Sequence, residues 1–157
     1  MTERCVDLAA ARSEDWPAVR TLLAQAKLPL DGLDERLEHF VVARDGDAVV
    51  GVAGLEHYGA SALLRSVAVD DQWRGTGIGR LLVNRVLDEA RALGVVDVYL
   101  LTTTAQDYFP KLGFACVRRE SLPAALGASA EMRGACPETA VVMKREARNE
   151  KREAGTS

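Results

Sequence analysis

The chain has 157 residues, 48% of them hydrophobic and 27% charged, with a net charge of −3. A chain of this length suits one domain that buries roughly two-thirds of its unfolded surface and needs no disulfide or metal staple. Mild acidity argues against a nonspecific nucleic-acid surface, which needs a basic excess, and no apolar run approaches the ~20 residues that span a bilayer. The segment Met-Thr-Glu-Arg-Cys-Val-Asp carries acids and lacks the apolar core of a signal peptide, so a cytoplasmic protein with a small-molecule partner is expected. Cys5, Cys116 and Cys136 are odd in number and show no C-x-x-C spacing, which points to reduced thiols and no metal site.

In chain order, residues 5–10 read as a short strand, and Ser13-Glu14-Asp15 offers an N-cap and first-turn acids for a helix through Ala26. Trp16, Val19, Leu22, Leu23 and Ala26 follow helical spacing. After Pro29, the acidic residues 31–38 suggest a second short helix. Residues 40–43 and 48–58 read as strands around the hairpin signal Asp45-Gly46, and residues 62–69 as a third antiparallel strand. A glycine-rich turn then leads into a helix whose stripe is Ile78, Leu82, Val86, Ala90 and Leu93, with Gly94 as its stop. Residues 95–101 are almost wholly apolar, as in a central strand parallel to the one before the turn. Thr102 to Thr104 cap a short helix through Lys111, residues 114–117 begin another strand, and residues 139–144 form the last. Between these two strands, residues 121–127 suggest a short helix and then an irregular connector. A single domain is expected over residues 1–144, followed by a charged tail over 145–157.

The turn Gln72-Trp73-Arg74-Gly75-Thr76-Gly77-Ile78-Gly79 organises the rest. Glycines at a helix start let backbone N–H groups converge where the helix dipole adds partial positive charge. Each charge-assisted bond from such an amide is worth about 1.5–3 kcal/mol, so three or four would hold a pyrophosphate, with Arg74 at its side. A Walker loop is excluded, because Arg80 and Leu81 stand where a lysine and a hydroxyl are needed. The dinucleotide fingerprint is missed by one residue and lies at mid-chain rather than after a first strand.

The order Gln72, Gly75, Gly77 resembles the Gln-x-x-Gly-x-Gly pyrophosphate loop of the GCN5-related N-acetyltransferases (GNAT). Ser66-Val67-Ala68-Val69 is similar to that family's preceding strand, and Tyr108-Phe109-Pro110-Lys111-Leu112-Gly113-Phe114 to its F-Y-x-K-x-G-F segment. The resemblance implies an α/β (α+β) domain: a mixed, mostly antiparallel sheet with a splayed parallel central pair and helices on both faces. It implies acetyl-CoA as cosubstrate, held by Val67, Val69, Gln72, Arg74, Gly75, Thr76, Gly77, Ile78, Gly79, Arg80, Thr104 and Phe109. It also assigns the Val67 N–H to polarising the thioester carbonyl, and sheet edges as a route to a homodimer. Leu100 to Ala105, Phe109, Leu112-Gly113-Phe114 and Leu122-Pro123 are similar to the acetyltransferase domain of N-acetylglutamate synthases. With Cys136-Pro137 they resemble the short arsenic-resistance-associated acetyltransferases still more.

Acetyl transfer to an amine needs a neutral amine, a stabilised oxyanion and a proton for the departing thiolate. Where the family carries a tyrosine acid, this chain has Phe109, preceded by Tyr108; the alternatives for the acid are Tyr108, Thr104 or water, with aromatic packing as the other role for Tyr108. Glu56 or His57 offers a base at the acceptor pocket, and as neighbours on a strand at most one points inward. Arg65, beside Ser66 in an apolar run, needs an anionic partner: a substrate carboxylate, or an internal acid such as Glu56. The acceptor expected is a small amino acid or an amino-acid-like arsenical, and the alternative function is an acyl-CoA-binding sensor without turnover. Cys5 and Cys116, on expected strands, read as core thiols, leaving Cys136 the reachable one.

Overall fold

Along β2 (Phe40–Asp45), Phe40 and Val42 point to one side of the sheet and Val41 and Ala43 to the other, and this alternation divides the core into two layers. The structure is a computed structural model and describes residues 6–28, 39–102, 107–124, 126 and 140–147. On one face, Phe40 and Val42 join Val52, Ala68 and the stripe Val19, Leu22 and Leu23 of α1 (Trp16–Gln25). On the other, Val41 and Ala43 join Leu55, Leu64 and Leu100 beneath Ile78, Leu82, Val83, Val86 and Ala90 of α2 (Ile78–Ala92). Helices therefore cover both faces, as the family resemblance implies.

Around these layers the described residues form one seven-stranded sheet. β1 (Asp7–Ala10), β2, β3 (Ala48–Tyr58) and β4 (Ser61–Val69) make an antiparallel meander. Gly46 and Gly59, with φ of 62° and 66°, turn its two hairpins. Gly54 is required for another reason, since the Phe40 ring occupies the space where its Cβ would stand. β5 (Asp97–Thr102) then runs parallel to β4. β7 (Val141–Glu146) pairs antiparallel with β5 along its whole length and with β6 (Ala115–Cys116) on its other side, giving the order β1-β2-β3-β4-β5-β7-β6.

Several expectations shift. Ser13 does not cap α1; Ser13–Asp15 form a 3-10 turn, the Asp15 carboxylate accepts the Arg12 N–H at 2.8 Å, and Pro17 stands in the first turn of the helix. The same carboxylate takes the Arg44 guanidinium in a largely buried ion pair that ties this end of the helix to β2. Leu93 is exposed, because α2 ends at Ala92 and Gly94 turns the chain at φ 85°. The expected helix through Lys111 is seen as a 3-10 turn over Phe109–Leu112, opened by Pro110 and closed by Gly113 at φ 94°. Where a short helix is expected over residues 121–127, the described residues show 3-10 structure, over Arg119–Ser121 and again at Ala124 and Leu126. The last strand runs two residues past Lys144, and Ala147 after it is buried in the core. Cys116 is exposed rather than buried, since β6 is a two-residue strand at the sheet edge. Residues 31–38, Cys5, Thr104, Cys136 and residues 148–157 lie outside the described residues. No helix among the described residues is long and apolar enough to cross a membrane.

Candidate active site

The loop before α2 is built by local hydrogen bonds that leave the helix start open. Asp70 accepts the Gln72 N–H at 2.9 Å and opens a 3-10 turn over Asp71–Trp73. Trp73 is buried, and its carbonyl accepts both the N–H and the hydroxyl of Thr76. The Thr76 side chain thus closes the turn from within. Gly75 and Gly77 hold φ of 81° and 88°, and no atom lies within 4 Å of a Cβ built on either. These glycines answer to backbone conformation and to open space above them, not to crowding.

Gly77 is the N-cap of α2 and no side chain caps the helix. The Leu81 N–H bonds the Gly77 carbonyl at 3.1 Å, so the amides of Ile78, Gly79 and Arg80 precede the first intrahelical bond. Successive backbone donors at the positive end of a helix are the chemistry that an anion seeks. Arg80 is exposed beside them. Arg74 is exposed too and pairs with Asp71 at 3.0 Å, an ion pair open enough to water to be exchanged for a ligand phosphate at little cost.

This cradle sits at the mouth of a gap in the sheet. The parallel ladder between β4 and β5 covers only Ser61, Ala62 and Leu63 against Asp97, Val98 and Tyr99. Beyond Leu63 the two strands part, and β5 stays paired with β7 through Thr102. The freed edge of β4 carries Val67 and Val69, both half-buried. It also carries an irregularity that the sequence does not announce: Ser66 has φ 60°, and the β3–β4 register passes from Val52↔Ala68 to Gly54↔Arg65, so that Ser66 and Val67 both face Ala53. This is a β-bulge, a device that redirects backbone groups beside sites.

The hydroxyl of Tyr108 comes to the same mouth. A Cβ on Gly79 would stand 2.6 Å from Tyr108 Oη and 3.7 Å from Val69 Cγ2, so the absent side chain of Gly79 makes room for the phenol between the start of α2 and the end of β4. Burial pushes the Tyr108 pKa up, and the nearby Arg80 charge pulls it partly back. The phenol is therefore a neutral donor at any physiological pH. Phe109 turns the other way, buried in the α2-side core and edge-on to both Tyr108 and Phe114.

Across the sheet, Arg65 is buried and its guanidinium lies 2.6 Å from the Glu56 carboxylate, the internal partner that the sequence offered against a substrate carboxylate. Glu56 also accepts the Tyr58 hydroxyl, and Arg65 Nε donates to Ser66 Oγ at 3.1 Å. A carboxylate engaged by a guanidinium and a phenol is a poor proton acceptor. His57 is half-buried, Nε2 bonds the Gly59 carbonyl at 2.9 Å, and its ring stands edge-on to His39. Tyr58 went unread in the sequence although its two-residue spacing from Glu56 puts both on one strand face; the bulge at Ser66 has no glycine to mark it. No His, Cys, Asp and Glu cluster suited to a metal ion occurs among the described residues.

A sheet split at a parallel pair, with a glycine-turned helix start at the split, is the arrangement that the family resemblance implies. The family model described as acetyltransferase (GNAT) domain matches residues 36–116, and the chain belongs to this family of acetyltransferases. It is 30% identical over 120 residues to an uncharacterized N-acetyltransferase of Chlorobaculum tepidum, covering 74% of this chain and 77% of that one. It is 28% identical over 120 residues to the amino-acid acetyltransferase of Aeromonas salmonicida, covering 75% of this chain and 26% of that protein. The fold is similar to N-acetylglutamate synthase from Neisseria gonorrhoeae, solved with coenzyme A and N-acetyl-glutamate: TM-score 0.80, 21% identity, 94% of this chain and 36% of that one. The chain thus spans about a quarter to a third of the length of these two larger proteins.

Proposed function

We propose that this protein transfers the acetyl group of acetyl-CoA to the amine of a small amino acid. The observation that carries the reading is the coincidence of two features, the open start of α2 and the end of the β4–β5 ladder at Leu63. An anion held at the first leads an acyl arm into the second. The amino-acid acetyltransferase among the relatives supports the acceptor class, as does the likeness in fold to a synthase solved with coenzyme A and N-acetyl-glutamate.

In this reading the amides of Ile78, Gly79 and Arg80 receive the CoA pyrophosphate, with Arg74 and Arg80 adding charge from the side. The Val69 backbone steadies the pantetheine arm in the gap, and the Val67 N–H donates to the thioester oxygen as it becomes an oxyanion. The neutral amine attacks the carbonyl carbon, the tetrahedral adduct expels the CoA thiolate, and a proton reaches the sulfur from Tyr108 or water. Thiolate leaves readily, so the acid is the least demanding part of the site. His57, half-buried at the end of β3, remains for the amine's proton by way of water.

The test is thiol release from acetyl-CoA in the presence of a panel of amino acids, polyamines, a lysine peptide and an amino-acid-like arsenical. Thiol release with one or more amino acids, or with the arsenical that mimics them, supports the reading. Release with polyamine or peptide alone would discard the acceptor class, and tight acetyl-CoA binding without any release would make the chain a sensor.

A further inference from the structure

Arg65 and Ser66 are neighbours on a strand, where side chains ordinarily project to opposite faces, yet Arg65 Nε donates to Ser66 Oγ at 3.1 Å. The contact exists because Ser66 takes φ 60° and β4 carries one residue more than β3 between its paired positions. Packing records the same slip. Ala62 and Leu64 belong to the core beneath α2, and so do Val67 and Val69, three and five residues beyond Leu64 rather than two and four. Without the bulge both valines would face the opposite side of the sheet.

A non-glycine residue at positive φ persists only where its surroundings over-determine it. Here the surroundings are electrostatic. Ser66 is held by Arg65, Arg65 lies 2.6 Å from Glu56 with both side chains almost fully buried, and Glu56 accepts the Tyr58 hydroxyl. A buried ion pair is weak support for stability but is well suited to fixing one arrangement among several. Ser66 immediately precedes Val67, so what fixes Ser66 fixes the direction of the Val67 N–H.

Resting on the acetyl-transfer reading above, we propose that Glu56, Tyr58, Arg65 and Ser66 form a clamp that locks the β4 bulge and aims the Val67 amide into the gap between β4 and β5. Glu56 and Arg65 are then positioning residues, in place of the base and the substrate anchor that their types first suggest.

The test reads the carbonyl itself. Acetyl-CoA labelled at the acetyl carbonyl is bound at saturation and its isotope-edited infrared band is compared with that of the free compound, beside calorimetric affinity and the melting temperature. Wild-type protein is expected to shift the band to lower frequency. Ser66→Ala and Arg65→Lys, the second of which keeps the charge and loses the Nε donor, are expected to bind acetyl-CoA within about twofold of wild type yet lose most of the shift, because a donor off its aim polarises little. Ser66→Gly, which adopts positive φ without help, is expected to keep the shift. Variants that melt lower but shift the band as wild type does would overturn the clamp and leave a merely structural pair, as would loss of the shift in Ser66→Gly. A wild-type protein that binds acetyl-CoA without any shift would overturn the role of Val67, and the clamp with it, whatever the thiol assay reports. Ser66→Ala removes a single oxygen, so the test stands even if Arg65→Lys does not fold.

Discussion

Placing valine at Gly77 separates the cradle's two requirements, backbone conformation and open approach. Gly77 holds φ 88° and ψ 3° as the N-cap of α2, and nothing in the protein lies within 4 Å of its missing Cβ. Gly77→Val therefore meets no clash in the free protein, and its cost there is the left-handed backbone, about 1–3 kcal/mol. For a chain of this size that lowers the melting temperature by roughly 2–4 °C per kcal/mol. Binding suffers separately. A phosphate must come within ~2.9 Å of the amides at the helix start, and the valine methyls stand in that approach. Loss of one charge-assisted bond at about 1.5–3 kcal/mol weakens acetyl-CoA binding by roughly tenfold to a hundredfold, and loss of two by more. Gly94→Val is the control: φ is 85°, nothing lies within 4 Å, and it sits past the far end of the same helix. It should melt lower to a similar degree and bind acetyl-CoA normally. Calorimetry showing equal acetyl-CoA affinity in folded Gly77→Val and wild type would refute the cradle.

Further expectations follow from the same geometry. Arg74→Ala, which removes an exposed and already paired guanidinium, should weaken acetyl-CoA binding by no more than about 1 kcal/mol and flatten its salt dependence in a titration series. Arg65→Met leaves the Glu56 carboxylate buried without its guanidinium and should cost about 3–5 kcal/mol in urea unfolding, and a Glu56→Leu/Arg65→Met double variant should recover much of it; equal stability of the single variant, with a raised KM for a carboxylate-bearing acceptor, would restore the substrate-anchor role. Tyr108→Phe should lower turnover less than tenfold, against the roughly 10²–10⁴-fold of a true general acid. Since burial raises the Tyr108 pKa above its ordinary value near 10, the phenol stays protonated as pH rises to that point, and any alkaline fall in rate below about pH 10 should persist unchanged in Tyr108→Phe. Gly54→Ala should destabilise by about 1–3 kcal/mol, read by thermal melting, because its methyl enters the space of the Phe40 ring.

The sequence by itself determined the elements and the cradle, because both depend on residues close along the chain. Helical spacing set the buried face of α2, period-two alternation and the Asp45-Gly46 signal set the β2–β3 hairpin, and glycines at 75 and 77 marked the positive-φ turn at a helix start. Tertiary structure alone decided the partners brought from elsewhere. Placing β7 between β5 and β6 is a pairing across some forty residues that no local pattern encodes. The partner of Arg65 is another such case: local sequence showed that a buried guanidinium must have an anion, whereas choosing Glu56 required the register that sets β3 against β4. The bulge at Ser66 is the clearest, since serine carries no intrinsic preference for φ 60° and holds it through partners that the tertiary fold brings to it, Arg65 and, behind it, Glu56.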